Sequence, residues 1–359
     1  MRKMWLALLT SMAATLAGFA QSPPPQGPFF YRDLDYGSES QFNPLSSMFT
    51  WTYDTLQVPA SFSDYDLSGR WIRVRENLGH PQRAIDSRGG MAAFINRQVL
   101  PYKLSEPDWI PNYTLHLMGG GMVFRKKAEW FEAHGWPLPY LSSAVLTVVE
   151  ELAQETVEKA STKADDEIAD VYLFMPLAML LFSNDTVARV ASDTLHLGEW
   201  PYQPMYDPNA ENARGTKGQF TNVGQNFFLK PEVFGLKKHR PFAFLGMTNL
   251  FGVTHKVNAT DSVSWGLGAA MVHSQDPTTV RFSGGLFWDR NDSLLASVIV
   301  HGTDNMAVRL NVYPGVVGPR AWWAPGLYVG VGDRGDVSAG LTLRILPVGF
   351  ARVNARNAK

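Results

Sequence analysis

From about residue 219 onward, large apolar side chains alternate with small or polar ones. The segments Val263-Ser264-Trp265-Gly266-Leu267-Gly268 and Val337-Ser338-Ala339-Gly340-Leu341-Thr342-Leu343-Arg344-Ile345 both follow this rule. Elsewhere Met306, Val308, Leu310 and Val312 oppose Ala307, Arg309, Asn311 and Tyr313, and Leu327, Val329 and Val331 oppose Tyr328, Gly330 and Gly332. A period of two is the signature of a β-strand, because successive side chains point to opposite faces. Turn-forming residues at 258–261, 275–277, 289–292, 302–305 and 332–336 separate the runs. Counting between them predicts about eight strands, each near the roughly 9–11 residues that a tilted membrane-spanning strand needs. They fall near 219–230, 240–256, 262–273, 279–289, 293–301, 305–313, 325–332 and 336–346, the last ending by Phe350.

Between about 107 and 197 the period is helical instead. A first helix is expected over 112–134, closed by Gly135 and Pro137, and a second over 142–160 with Val145, Val148, Val149, Leu152 and Thr156 on one side. A third is expected over 167–182, after which Asn184 has the chemistry of an N-cap. Gly119-Gly120-Gly121 is unfavourable inside a helix, so a close neighbour is expected there. The early region, 29–101, is expected to be irregular or β-structured, and 201–218 reads as an ordered linker. The predicted class is α+β, a C-terminal antiparallel membrane-type β-barrel preceded by a small helical domain. Its segments are a signal peptide (1–20), an early region (21–105), helices (106–200), a linker (201–218), a barrel (219–350) and a tail (351–359).

What turns a sheet into a membrane barrel in this reading is the chemistry of the second face. Gly, Ser, Ala, Thr, Asn and occasional Arg suit the cramped polar interior of a narrow barrel, leaving the apolar face for lipid. Trp265, Trp288, Trp322, Trp323 and Tyr313 lie near strand ends, where interfacial aromatics belong. A soluble lipocalin-like barrel or sandwich with its faces reversed fits the same alternation. Charged residues make up only 18% of the chain and the formal net charge is -1, which gives no basic surface for nucleic acid. Arg2 and Lys3, the uncharged stretch 4–19 and the small residues before Gln21 form the layout of a secretory signal peptide. The chain has no cysteine, so disulfide and thiolate chemistry are excluded.

Nucleotide-binding, zincin and nucleophile-elbow motifs are absent from the sequence. Three polar features remain. His116 precedes the glycines, Glu151 and Glu155 lie four apart on the second helix with Gln154 between, and Asp170 precedes an apolar run. Brought together, His116, Glu151, Glu155 and Asp170 are the candidate catalytic residues: His116 as general base, the glutamates holding it or a metal, Asp170 orienting the group. The same residues also fit a solvated helix face with Glu150 and Glu158, a packing histidine, and a first-turn charge cluster at 165–167.

The order His116 with trailing glycines, Glu151-x-x-Gln154-Glu155 and Ile168-Ala169-Asp170 resembles VanZ-like bacterial envelope domains. The longer string over 109–121, 129–135 and 169–182 is similar to a family of outer-membrane proteins of unknown function. Phe174 departs from the VanZ-like pattern, which carries a polar Asn after the Asp. The resemblance implies a shared His/Glu/Asp site without a named reaction and implies no cofactor. The expected role is structural, assembly or binding in the cell outer membrane, with the helices on the periplasmic side, membrane lipid as partner and unidentified envelope proteins besides. The alternative is an envelope enzyme acting on lipid or cell wall.

Overall fold

The computed structural model describes residues 27–54, 66–100, 109–158, 165–211, 217–232, 238–272, 279–301, 307–318, 320–332 and 336–354, with Thr10, Gly18 and Phe19. The expected signal peptide and most of the tail therefore lie outside the described residues. The chain divides into two compact units, Met1–Tyr31 with Asp66–Val190, and Arg32–Tyr65 with Ala191–Lys359. The main helices, in chain order, are α1 (Pro44–Thr52), α2 (Leu67–Gly79), α3 (Pro81–Ser87), α4 (Gly121–Ala133), α5 (Pro139–Glu158) and α6 (Met175–Phe182). The strands are β1 (Gly198–Glu199), β2 (Met205–Glu211), β3 (Lys217–Asn222), β4 (Phe227–Leu229), β5 (His239–Leu245), β6 (Thr248–Lys256) and β7 (Asp261–Val272). They continue with β8 (Thr279–Arg290), β9 (Ser293–His301), β10 (Val308–Val312), β11 (Pro325–Val331), β12 (Val337–Leu343) and β13 (Gly349–Asn354).

The first unit is helical. Asp66 starts α2 by accepting the Gly69 N–H at 2.9 Å, and Pro81 sits at the start of α3, where a missing N–H is harmless. Irregular or β structure was the expectation for 29–101, and the described residues there are instead largely helical. The helices are short or, like α2, mostly polar, so their period barely shows in the sequence. The helix expected over 112–134 forms, but its first part, Asn112–Gly120, is a wide π-type turn leading into α4. Gly135 ends it with a φ of 69°. Gly121 answers the close-neighbour expectation: a Cβ there would lie 2.2 Å from the Phe182 ring. Asn184 caps the next turn, accepting N–H groups from Thr186 and Val187.

Helix α5 is turned inside out. Ser143, Thr147, Glu150, Glu151, Gln154 and Glu155 are buried, whereas Val145 and Val149 are about half exposed. The solvated-face alternative for Glu150, Glu151 and Glu155 is thereby overturned. The first-turn alternative for 165–167 holds in position, with Asp165 ahead of a helical turn that Asp166 and Glu167 open, and Asp165 also pairs with Arg88 and Arg97 while Glu167 accepts from Asn77. Among the described residues no single helix is long and apolar enough to cross a membrane.

The second unit is a mostly antiparallel sheet in the order β1-β4-β5-β6-β7-β8-β9-β10-β11-β12-β13-β2-β3. One pair, β13 with β2, is parallel. The strand expected over 240–256 breaks at Gly246-Met247 into β5 and β6, and β13 adds a further strand at the C-terminal side. The expected linker holds β2 and the start of β3. Pro208 sits in β2 where the β2·β3 register shifts, the position at which a sheet tolerates proline. Trp200 N–H donates to Asn226 O (2.8 Å) and Tyr202 N–H to Gly224 O (2.9 Å), so the β1·β4 and β2·β3 ladders continue one another.

Burial along the strands alternates as the sequence pattern predicts. Phe251, Trp265, Leu267, Phe282, Leu286, Val300, Leu310, Leu327, Leu341 and Phe350 are exposed. Ser264, Ser283, Ser297, Arg309, Asn311 and Thr342 are buried on the other face. That buried face is filled by a cluster of Trp200, Tyr202, Phe228, Phe242, Phe244, Leu250, Phe287, Leu294, Ile299 and Tyr313. Tyr313, expected in an interfacial girdle, points inward, and its hydroxyl donates to Pro201 O at 2.6 Å. Helix α1 belongs to this unit: Thr50 donates to the Gln225 side chain (3.0 Å), and Asp54 accepts the Gln225 N–H (2.5 Å).

Candidate functional site

The four candidate residues meet inside the helical unit. His116 lies in the π-type turn Asn112–Gly120, which Asn112 anchors by donating to the Gln98 carbonyl and side-chain oxygens at 3.0 and 2.7 Å. Glu151 and Glu155 project from the buried side of α5. Asp170 opens a second π-type turn, Asp170–Phe174, seated by Ile168, Ala169 and Phe174 in a cluster with Ala84, Ile85 and Phe94. Each π turn inserts a residue into the helical repeat and re-aims the side chains that follow, a device often found at functional sites.

His116 Nδ1 lies 3.0 Å from Glu151 Oε1, and its Nε2 lies 3.8 Å from Asp170 Oδ2. One donor atom each from His116, Glu151 and Asp170 falls within 4.8 Å of the others. Glu155 hydrogen-bonds to Asp170. All four are buried.

Burial alone would lower the pKa of His116, but the Glu151 charge, its hydrogen bond and the further charge of Glu155 lift it to about 9. Glu155 is pushed well up by burial and then by the charge of Asp170. Asp170 is pushed well up by burial and then by Asp166 and Glu151. Two carboxyl groups that both resist ionisation and share a hydrogen bond hold a proton between them. A histidine lifted this far is protonated at neutral pH, which disfavours the general-base role and favours that of a proton donor or of a nitrogen ligand awaiting displacement of its proton.

Sequence reasoning missed other buried charges in the same unit. Lys127 pairs with Glu150, both fully buried. Arg125 pairs with Glu129 (2.9 Å) and Asp185 (2.6 Å), and Glu129 accepts the backbone N–H groups of Phe29, Phe30 and Tyr31 at 2.8–3.0 Å. The i,i+4 spacing of Arg125 and Glu129 was visible in the sequence, but it reads equally as a surface pair.

No family model, no curated protein and no solved structure matches this chain.

Proposed function

We propose that this chain is an outer-membrane β-barrel protein, exported by its N-terminal leader, with a structural, assembly or binding role in the cell envelope. The observation that carries the reading is the exposed apolar face running from β6 to β13, opposite a buried face of Ser, Asn, Thr and Arg. In water such a sheet would present its fatty side outward. In a bilayer this is the arrangement of lowest free energy. Closure of the sheet is part of the proposal. Segments 198–211 and 217–229 run as one continuous hairpin, β4 pairs with β5, and β13 returns to pair with β2. Counted that way the ring has eleven strands. An odd number of alternating strands can close only through a parallel pair, which is the geometry of β13 and β2. The aromatic filling of the inner face favours an anchor or platform over a pore. Outer-membrane fractionation with heat-modifiable gel mobility tests this. Recovery with outer membrane and a mobility that changes on boiling are expected, and recovery as soluble periplasmic protein defeats the reading.

A second reading, an envelope lipid- or cell-wall-modifying enzyme, is favoured by the convergence of His116, Glu151, Glu155 and Asp170. Under it, a folded Glu151→Gln variant changes the envelope lipid or muropeptide profile by mass spectrometry. An unchanged profile removes the enzyme reading and leaves the barrel untouched.

A further inference from the structure

We infer that His116, Glu151 and Asp170 form a binding site for one divalent transition-metal ion, with Glu155 as the positioning residue for Asp170. The inference is independent of the membrane reading, since every residue lies within the helical unit.

The geometry divides the imidazole between two partners. Nδ1 is within hydrogen-bond distance of Glu151, at 3.0 Å. The ring thus stands between two carboxylates, each within reach of one of its nitrogens. Nε2 and Asp170 Oδ2 are 3.8 Å apart. Two donors each about 2.0–2.2 Å from one ion sit roughly 2.8–3.6 Å apart at angles between octahedral and tetrahedral, so the pair needs to close by only a few tenths of an ångström to hold one. Glu151 supplies the third donor, since one ligand atom each from His116, Glu151 and Asp170 lies within 4.8 Å of the others.

A second observation points the same way. Asp170 is 3% exposed, and its Oδ1 has no hydrogen-bond partner among the described residues. A buried carboxylate oxygen left in that state is destabilising unless a cation or proton meets it. Three carboxylates, Glu151, Glu155 and Asp170, converge on one histidine, and a divalent ion would balance them better than a single imidazolium. The donor set, one imidazole nitrogen with carboxylate oxygens and no thiolate, fits Zn2+, Mn2+ or Fe2+ better than Cu+ or Ca2+. Two of the donors stand on π-type turns, which aim side chains from adjacent turns at one point.

The test uses the full-length protein purified in detergent, stripped with chelator and reloaded with Zn2+ or Co2+. Elemental analysis after desalting is expected to find one ion per chain. The Co2+ form should show visible d–d bands, and X-ray absorption of the Zn2+ form should fit one imidazole among oxygen ligands. Asp170→Asn and Glu151→Gln should each weaken Zn2+ binding by about 100-fold or more, and Glu155→Gln by roughly 10–100-fold with the stoichiometry kept. Near-UV circular dichroism checks that each variant is folded. Folded wild-type protein that retains no Zn2+, Co2+ or Mn2+ overturns the inference. So does an all-oxygen ligand shell in the Zn2+ form, a readout that stands even where a variant fails to fold.

Discussion

Asp165 is fully buried, and its two carboxylate oxygens go to different arginines. Oδ1 accepts from Arg88 at 2.6 Å and Oδ2 from Arg97 at 2.5 Å. Arg88 follows the end of α3, Arg97 lies in the π-type turn Ile95–Val99, and Asp165 stands just ahead of the segment that carries Asp170. One carboxylate therefore ties three pieces of chain whose own helices are too short to be stable alone. Removing it leaves two guanidinium groups beside each other, though Arg88 keeps 24% of its side-chain surface exposed and Arg97 11%, so water recovers part of the loss. Asp165→Ala is expected to destabilise the helical unit by about 2–4 kcal/mol. Chemical unfolding of the full chain followed by far-UV circular dichroism reads it, and a loss under about 0.5 kcal/mol would show that the arginines find other partners.

At the scale of elements, the sequence exposed periods more clearly than directions. The stripe Val145, Val149 and Leu152 on α5 and the opposing stripe Glu151 and Glu155 were both legible, but a period of 3.6 names two faces without saying which is inward. Lys127 and His116, on facing segments, decide it by giving the carboxyl groups buried partners. The sheet was more legible because composition broke the tie: Gly, Ser and Asn opposite Val, Leu and Phe say which face is cramped. Several elements escaped for identifiable reasons. β1 and β2 lie among Pro201, Pro204 and Pro208, which mimic a linker. β5 and β6 merged into one apolar run because the turn at Gly246-Met247 has only one strong turn former. The π-type turns differ from α-helix by one residue, which leaves no trace in hydrophobic spacing, yet they aim His116 and Asp170. The candidate residues were found from their types and order, and their convergence came only with the fold.

For the whole molecule, everything proposed about the barrel depends on whether the β13·β2 pair holds the sheet in a ring. That pair is short, with Gly349 opposite Met205 and Phe350 opposite Tyr206. It is reinforced beside the ladder, where Gly349 N–H donates to Pro204 O (2.7 Å) and Val353 N–H to the Asp207 carboxylate (2.5 Å). The chain has no cysteine, so an introduced pair would be the sole thiols present. Neighbouring strands lie about 4.8 Å apart, inside the Cα separation of roughly 4.4–6.8 Å that a disulfide accepts. Tyr206→Cys with Phe350→Cys is therefore expected to cross-link within one chain in assembled membranes, giving a reducible gel shift without a dimer band. Tyr206→Cys with Leu341→Cys is the control. Leu341 pairs with Phe350 and so stands one strand further away, at about 9–10 Å, too far to bridge. Cross-linking of the first pair alone places β13 beside β2 in the bilayer. Its absence in protein that still fractionates with the outer membrane would overturn closure of the sheet through β13 and β2.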